Sequence, residues 1–517
     1  MGFTLKYNAI SSREQMLENI FISDEHKGFG DYFDDKKFLT KEYAKHLLAN
    51  VPIIRYNETP YIYQNEKGYW EQTTQRNAIN RIRSMATNEL DTHEISLPNR
   101  QLQELSNAVL DIADQSINPF ATTNINKVSF ANVTYDFETN SFEKHDPQNF
   151  LIAGIPIEIP EELLEFVAAD YSIPTNFEPL NTQELIPASF TYYDVLDYPK
   201  VATEWLKALF ETPEHDLRFK QAFGEDTGYL KRYVIGYGYY QSYEPQQNIT
   251  FIYGKPGNGK STFINRIIKP LFGNDNISDV EYDKLIGEGK SSGRFDIANI
   301  IGKSLNISPD IPDTFYKNAD RLKSLTSGDG IQVEKKGVQG FEAVNTAKLV
   351  LVTNHIPRNK ADDGLADRVY IIEDRMPCMR HETERKEYAY DETKLEQERP
   401  YFALKCLIDF WLHMDEPIRK TENMLRLEKQ WLEESDPIKS FMAEHTEQTS
   451  ETNTGISTGY LYNMYIDFTG SEIKEKFFNE HLTGLGYVKM SRMRSVDEKD
   501  DDPKNQKTRW RGLHYYD

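Results

Sequence analysis

Short apolar runs separated by segments with helical spacing occupy the middle of the chain. Strand-like segments that contain apolar runs lie at residues 251–253, 299–308 and 348–353. Runs of this length without polar alternation are typical of strands that are buried on both faces of a sheet. Between about 249 and 375 such runs alternate with helical patterns, which predicts an α/β unit with helices on both faces of its sheet.

The regions on either side of this unit have different patterns. Residues 1 to about 180 mix helical and strand-like segments and predict an α+β region, whereas residues 190–248 and 400–433 predict helices. The many aromatic residues of 190–248 are interpreted as core. In the first region the helical patterns cover 41–48, 77–86 and 99–113, and the strand-like patterns cover 61–64, 68–71 and 128–137.

The last part of the chain predicts a small separate domain. The polar stretch Glu444–Gly455 is rich in Glu, Thr, Ser and Asn and is interpreted as a linker. Two helical patterns and then two strand-like pieces follow, an order that predicts a winged helix. These four segments cover 458–468, 471–482, 487–494 and 507–515. We therefore predict three domains, at residues 1–185, 186–440 and 441–517.

Composition narrows the class of protein. A chain of 517 residues is long enough for two to four domains with their own cores. Cys378 and Cys406 are too few for a disulfide framework, and no run of about 18 apolar residues is present, so we expect a cytoplasmic protein without a membrane span. The net charge of −22 argues against a surface that coats nucleic acid indiscriminately, so any nucleic-acid site must be local.

A glycine-rich turn follows the strand at 251–253 and leads into a helical pattern. This context is the one that a phosphate-binding loop requires, because glycines let backbone N–H groups turn toward a polyphosphate at the start of a helix. Lys260 is expected to reach the outer phosphates, and the Ser261 hydroxyl to hold Mg²⁺. The sequence thus predicts an ATP and Mg²⁺ site formed by Gly254, Gly257, Asn258, Gly259, Lys260, Ser261 and Thr262.

Polar residues at the ends of the next two apolar runs complete this predicted site. Asp310 follows the run at 299–308, where its carboxylate is expected to orient magnesium or the attacking water, with Asp313 as the alternative. Asn354 follows the run at 348–353 and fits a residue that aligns water beside the γ-phosphate. The alternative for Asp310 is an ordinary turn residue.

Cations downstream of the loop have two predicted roles. Arg358 or Arg368 is expected to reach the nucleotide of a neighbouring subunit as an arginine finger, although an ordinary surface ion pair is the common fate of an arginine. Residues 325–341 predict a hairpin with a basic, glycine-containing tip. Lys335 and Lys336 at this tip are expected to bind the phosphates of a single nucleic-acid strand.

The order of these motifs resembles the superfamily 3 helicases of the AAA+ class, in particular the phage and plasmid primase-helicase family of viruses and mobile genetic islands, such as staphylococcal pathogenicity islands. The resemblance covers roughly residues 40–440, and it includes the segment 128–137 before the helicase region. Asn132-Val133 departs from the Asn-Gly that is usual in the family, and Asp310 stands where the family commonly has Glu.

The resemblance implies an α/β fold with an AAA+ P-loop ATPase core, an α+β N-terminal domain and a C-terminal winged-helix domain. It implies catalytic roles for Lys260, Asp310 as the Walker B acid, Asn354 as sensor 1 and Arg368 as the likelier finger. It also implies a homo-hexamer that moves on single-stranded DNA, usually 3′ to 5′. The N-terminal region has no primase-like acidic site, so priming activity is not predicted.

Basic residues gather on the two strand-like pieces of the last domain. Their alternation with apolar residues predicts that they meet DNA phosphates while the helix at 471–482 enters a groove, although a winged helix that packs on protein is the alternative. Binding of double-stranded origin DNA is therefore expected here. The residues are Lys489, Arg492, Arg494, Lys507, Arg509 and Arg511.

The favoured interpretation is an ATP-driven DNA helicase and replication initiator of a mobile element. One alternative is an origin-binding protein that remodels DNA without processive unwinding. A second is a ring ATPase for DNA packaging or protein remodelling, which differs in whether nucleic acid stimulates hydrolysis. The sequence leaves open the origin sequence, the polarity, the stoichiometry and the host replication proteins that act as partners.

Overall fold

The computed structural model has a mixed α/β fold. It describes residues 32–34, 37–161, 163–164, 212–287, 294–309, 311, 315–316, 320–335, 338–356, 358–359, 363–449, 454–470, 473–493 and 507–515. In these ranges no helix combines the length and the apolar character needed to cross a bilayer.

Helices and short strands alternate along the described chain. Two helical runs, α6 and α7, each contain a π-helical middle section, at Leu230–Gly236 and Ile264–Ile268 respectively. The helices are α1 (Thr40–Asn50), α2 (Gln75–Thr92), α3 (Asn99–Ile112), α4 (Pro119–Thr122), α5 (Pro213–Phe223), α6 (from Thr227–Tyr229 to Tyr237–Tyr239), α7 (from Lys260–Phe263 to Lys269–Phe272), α8 (Tyr282–Ile286), α9 (Arg294–Ile297), α10 (Asp320–Leu325), α11 (Asp363–Ala366), α12 (Glu382–Glu387), α13 (Glu392–His413), α14 (Glu422–Glu434), α15 (Pro437–His445), α16 (Thr458–Thr469) and α17 (Glu475–Gly484).

The strands form one larger sheet and several small ones. They are β1 (Phe33–Asp34), β2 (Lys37–Phe38), β3 (Ile53–Tyr56), β4 (Thr59–Gln64), β5 (Tyr69–Gln72), β6 (Lys127–Ser129), β7 (Thr134–Asp136), β8 (Ser141–Glu143), β9 (Ile249–Tyr253), β10 (Ile277–Ser278), β11 (Leu305–Ser308), β12 (Phe315–Tyr316), β13 (Gly330–Lys335), β14 (Val338–Val344), β15 (Lys348–Thr353), β16 (Arg358–Asn359), β17 (Val369–Glu373), β18 (Thr446–Gln448), β19 (Gly455–Ser457), β20 (Lys489–Met493), β21 (Lys507–Arg511) and β22 (Leu513–Tyr515).

The central sheet has five parallel strands in the order β10-β11-β15-β9-β17. Strands β11 and β15 are buried at every residue, as expected of strands that are covered on both faces of a sheet. Successive residues of β9 enter different cores: Phe251 packs with α8 and α10 on one face, and Ile252 packs with α6, α7 and α13 on the other. The predicted α/β unit with a two-sided sheet is therefore confirmed.

The N-terminal region is α+β, as its mixed patterns predict. Strands β3-β4-β5 form one antiparallel sheet beside α1, α2 and α3, and β6-β7-β8 form another. The single strand predicted at 128–137 is wrong, because residues 130–133 turn the chain so that β6 and β7 pair antiparallel. The Asn132 side chain holds this turn, since it accepts from Ile159 N (2.9 Å) and donates to Ile159 O (2.9 Å).

The hairpin predicted at 325–341 is confirmed as β13 and β14, which pair antiparallel with an irregularity between Val333 and Lys335. Phe341 on β14 packs on two aromatic rings of the N-terminal region, with centroid distances of 5.5 Å to Phe120 and 6.0 Å to Tyr56. The middle of the hairpin is thus fixed by apolar contacts with another part of the chain.

The C-terminal residues form a separate core around Trp510 and Phe441. Helices α15, α16 and α17 cover an antiparallel sheet in the order β19-β21-β20. The interpretation of 444–455 as a linker is wrong for its first part, because Thr446–Gln448 is strand β18 and pairs with β22.

Candidate nucleotide site

The predicted phosphate-binding loop lies between β9 and α7, at the carboxyl edge of the parallel sheet. Gly257 and Gly259 have φ values of 80° and 94°, a region that favours glycine. Gly254 is required for a different reason: a Cβ at this position would lie 2.9 Å from the backbone oxygen of Asp374. The predicted glycines therefore let the loop turn tightly in front of the first helical residue, Lys260.

The Lys260 ammonium is buried inside this loop. Its Nζ donates to the backbone oxygens of Gly254 (2.6 Å) and Lys255 (3.0 Å) and to Asn258 Oδ1 (3.2 Å). It also donates to Asn354 Oδ1 at 2.9 Å. Two residues that are 94 positions apart in sequence, and that the sequence predicts for one site, are thus in direct contact.

Strand pairing explains this contact. Strand β15 lies directly beside β9, with Thr353 in register with Tyr253, so that residue 354 emerges level with the start of the loop. The Gly254 N–H donates to Thr353 O (3.2 Å), and the Thr353 hydroxyl bonds the backbone of His355, which closes the turn. The Asn354 amide is consequently aimed at the loop by backbone structure on both of its sides.

The predicted magnesium ligands are only partly within the described residues. Ser261 and Thr262 lie exposed in the first turn of α7, next to Lys260. Asp310 and its alternative Asp313 lie outside the described residues; β11, which precedes them, is separated from the loop strand by β15. The described ranges contain no cluster of three or more His, Cys, Asp or Glu residues suited to a metal ion. The Ser261 hydroxyl beside phosphate oxygens is a donor set that suits Mg²⁺, which commonly keeps few protein ligands.

Asp374 is a further acid at the loop, and sequence reasoning missed it. It follows β17, the other neighbour of β9, and its backbone oxygen accepts from Asn258 Nδ2 (3.4 Å). Its carboxylate accepts from Met376 N (3.0 Å). Burial raises the pKa of Asp374 to about 6, although Lys260 and Asn258 act in the opposite direction. The signal in the sequence was an acid at the end of an apolar run, the same signal that selected Asp310.

Arg368 lies at the opposite edge of the sheet. It precedes β17, and its backbone oxygen accepts from Ile249 N, at the amino end of β9. Its guanidinium donates to Gly364 O (2.8 Å) and to Gln247 Oε1 (2.5 Å). The five residues of β17 separate it from the level of the loop, about 17 Å at 3.3 Å per residue. Arg368 is therefore not brought together with Lys260 of its own chain. The backbone of the alternative, Arg358, lies in the short strand β16.

Only some of the residues predicted to bind DNA lie within the described part of the chain. Lys335 ends β13 next to the hairpin tip, whereas Lys336 lies outside the described residues. In the C-terminal sheet Lys489 and Arg511 are exposed, with Lys489 Nζ 4.8 Å from the Trp510 ring centroid. The backbones of Arg492 and Lys507 lie in β20 and β21, and Arg494 lies outside the described residues.

The expectation that Arg509 meets DNA phosphates is wrong for this conformation. Its side chain is 0% exposed, and Nη1 lies 3.5 Å from Gly455 O. Strand β21 is the middle strand of its sheet, so β19 and β20 flank it. Alternation along the strand predicts an outward side chain, but both faces of the sheet are covered at this residue.

Two family models match parts of the chain. Residues 36–185 match the family described as D5 N terminal like, and residues 252–368 match a family of unknown function, DUF5906. The first match covers the α+β region up to the boundary expected at 185, and the second contains the phosphate loop, Asn354 and Arg368. No curated protein matches the chain.

Three solved structures that match the chain share little sequence with it. The A form apo structure of the NrS-1 C-terminal region (305–718) is 11% identical, covers 92% of this chain and 99% of that chain, and has a TM-score of 0.40. A second structure of the NrS-1 C-terminal region is 12% identical, with coverages of 75% and 73% and a TM-score of 0.35. JCV helicase bound to a thiazolopyridine acetamide is 14% identical, with coverages of 48% and 76% and a TM-score of 0.20. TM-scores this low do not establish a shared fold.

Proposed function

We propose that the chain is an ATP-hydrolysing DNA helicase and replication initiator of a mobile genetic element. The observation that carries the proposal is the contact between Lys260 of the phosphate loop and the Asn354 amide at the edge of a parallel sheet. A loop that only binds nucleotide does not need a polar side chain from the neighbouring strand beside the outer phosphates. Hydrolysis does need one, because a water molecule must be aligned with the γ-phosphate.

Each residue at the loop then has a defined task. Backbone N–H groups of the loop and the amino end of α7 bind the phosphates. Lys260 neutralises charge that develops on the outer phosphates, and Asn354 orients the attacking water through its amide. Ser261 and Asp310 would hold Mg²⁺, which supplies further charge neutralisation on the phosphate oxygens when it is bound.

A homo-hexameric ring is part of the proposal, because in a ring Arg368 would lie beside the nucleotide of an adjacent subunit. Arg368 lies at the sheet edge opposite to its own loop, so only the nucleotide of an adjacent subunit is available to it. An arginine supplied in this way stabilises transition-state charge and makes hydrolysis depend on assembly.

Two surfaces are proposed to bind DNA. Lys335 and Lys336 of the hairpin region are proposed to bind single-stranded DNA in the ring, and the hairpin of β13 and β14 is held by the contact between Phe341 and Phe120. The C-terminal domain, with three helices and a three-stranded antiparallel sheet, supports a winged helix that binds double-stranded origin DNA. Its proposed contacts exclude the buried Arg509 and are Lys489, Arg492, Arg494, Lys507 and Arg511.

The test is ATP hydrolysis and forked-duplex unwinding by the wild type and by Lys260→Ala, each with and without single-stranded DNA. We expect DNA to stimulate hydrolysis, and Lys260→Ala to reduce hydrolysis by about 100-fold or more and to abolish unwinding. Lys386→Ala is the control, since Lys386 is exposed on α12 and pairs with Glu382 one helical turn earlier.

The outcomes separate the competing functions. Hydrolysis that DNA does not change would contradict the helicase and favour a ring ATPase that remodels protein. Stimulated hydrolysis with melting confined to short duplexes would favour an origin-binding protein without processive unwinding.

A further inference from the structure

The phosphate loop is flanked by chain segments from both neighbours of β9. On one side β15 delivers Asn354, and on the other side β17 continues into residues 374–380. Asn354 contacts the Lys260 ammonium, and Lys260 is the residue expected to reach the outer phosphates. The side of the loop next to β15 is therefore the side of the outer phosphates. The segment 374–380 therefore faces the loop from the other side.

This segment is attached to the loop by backbone contacts. Asp374 N donates to Tyr253 O (2.7 Å), where β9 ends, and Asp374 O accepts from Asn258 Nδ2 (3.4 Å). Five residues later, Met379 N donates to Gly257 O (2.8 Å). Both ends of the segment are thus bonded to the strand and loop that form the site, so its backbone keeps a defined position relative to the loop.

Arg380 follows the last of these bonds and lies against the loop. A Cβ built on Gly257 would lie 3.0 Å from Arg380 Nε and 3.6 Å from its Cγ. Two neighbours in the segment pack in the same way, because the same Cβ would lie 3.5 Å from Cys378 Sγ, and one on Gly259 would lie 3.4 Å from Met379 Cγ. The glycines of the loop thus leave space for this segment as well as for the phosphates.

Within the described ranges, the charge of Arg380 has no acidic partner. Among the described residues no carboxylate lies within ion-pair distance of it, although the chain has an acidic excess. Arg375, in the same segment, differs: its guanidinium lies 3.4 Å from Oε1 of Glu225, which follows α5. A planar guanidinium beside a phosphate loop matches the geometry of phosphate oxygens.

We propose that Arg380 binds the nucleotide of its own chain, at the inner phosphates that ATP and ADP share. This site rests on the function proposed above. It is distinct from the finger assigned to Arg368, which acts between subunits. Because Arg380 lies on the side of the loop away from Asn354, it contributes to nucleotide affinity and leaves the alignment of the attacking water unchanged.

The test measures binding of fluorescent N-methylanthraniloyl ATP and ADP to the full chain with Mg²⁺, together with kcat and KM for ATP. The variants are Arg380→Ala, Arg380→Lys, Arg380→Gln and, as the matched control, Arg375→Ala. A lost charge-assisted hydrogen bond to phosphate corresponds to roughly a tenfold weaker Kd. We expect Arg380→Ala to weaken ATP and ADP binding by this same factor and to raise KM with kcat unchanged. Arg380→Lys should restore part of the affinity, and Arg375→Ala should stay near the wild type.

Several results would overturn the assignment. They are Arg380→Ala binding that equals the wild type, a loss confined to ATP, or a loss equal to that of Arg375→Ala. If Arg380→Ala melts at a lower temperature without nucleotide, Arg380→Gln, which keeps most of the stem, decides by the same criteria. A wild type that binds neither nucleotide, and so does not differ from Lys260→Ala, would instead refute the proposed function itself.

Discussion

Gly254→Ala is the substitution whose effect follows most directly from the structure. Gly254 has no positive φ to preserve, so its requirement is purely one of space. The added Cβ would lie 2.7 Å from Asn258 Nδ2 and 2.9 Å from Asp374 O. Against a normal separation of about 3.5 Å, these contacts are too close by roughly 0.8 and 0.6 Å. The alanine therefore does not fit unless the loop or the end of β17 moves.

Neither Asp374 nor Asn258 can move away from the added Cβ without losing a hydrogen bond. Asp374 is held by the bond from its N–H to Tyr253 O, and Gly254 itself donates to Thr353 O (3.2 Å). Asn258 can rotate, but it then loses its contact with Lys260 Nζ (3.2 Å). Overpacking of this kind costs about 1–3 kcal/mol. We expect this cost to be divided between a lower free energy of unfolding and weaker nucleotide binding.

The assay compares Gly254→Ala with Gly228→Ala by denaturant unfolding and by fluorescent ATP binding. Gly228 lies in α6, and nothing within 4 Å would meet its added Cβ. Alanine is favoured over glycine in a helix by about 0.5–1 kcal/mol, so this control should be stabilised. The two glycine-to-alanine substitutions are thus expected to change the free energy of unfolding in opposite directions. A Gly254→Ala variant with the unfolding midpoint and ATP affinity of the wild type would refute the reasoning.

Three further predictions concern other residues of the two sites. Asn354→Ala should lower kcat for ATP by roughly 100-fold, the scale of losing one transition-state donor, with nucleotide affinity retained; an unchanged kcat in steady-state assays would contradict the proposed role. Because burial raises the pKa of Asp374 to about 6, its proton favours the folded state, and the stability it contributes below pH 4 is lost as the pH rises through 6. In denaturant unfolding at pH 7, Asp374→Asn should therefore have a higher free energy of unfolding than the wild type, by up to about 3 kcal/mol. This difference should shrink toward pH 4. Arg509→Met should change the thermal stability of the C-terminal domain, because Arg509 is buried. Arg511→Ala should weaken DNA binding without changing that stability, because Arg511 is exposed. A fluorescence melt measures the first effect, and a DNA-binding titration measures the second.

Errors in the sequence predictions have a common physical origin. Residues 444–455 have the composition of a linker, but Thr446–Gln448 finds a partner strand at Leu513–Tyr515, more than 60 residues later. Alternation correctly predicts strands in the C-terminal domain, yet it does not reveal that β21 is a middle strand, which buries Arg509. In both cases pairing with a distant segment decided what the local pattern left open.

Asp374 and Arg380 illustrate the same limit at the nucleotide site. Neither belongs to a recognisable motif, and they lie 120 and 126 residues after Gly254. They reach the loop because β17 pairs with the strand that leads into it. Sequence separation carries no information about this pairing. The loop residues could therefore be predicted from the sequence, whereas Asp374 and Arg380 beside the loop could not.

The sequence by itself determined the buried strands, the glycine loop, Lys260 and the position of Asn354 at the end of an apolar run. These features are local, because they depend on side-chain periodicity and on the backbone freedom of glycine. The tertiary structure alone decided which strands became neighbours of β9. That order brings Asn354 and Asp374 to opposite sides of the loop and leaves Arg368 at the far edge of the sheet, because parallel strands align their carboxyl ends whatever their distance along the chain.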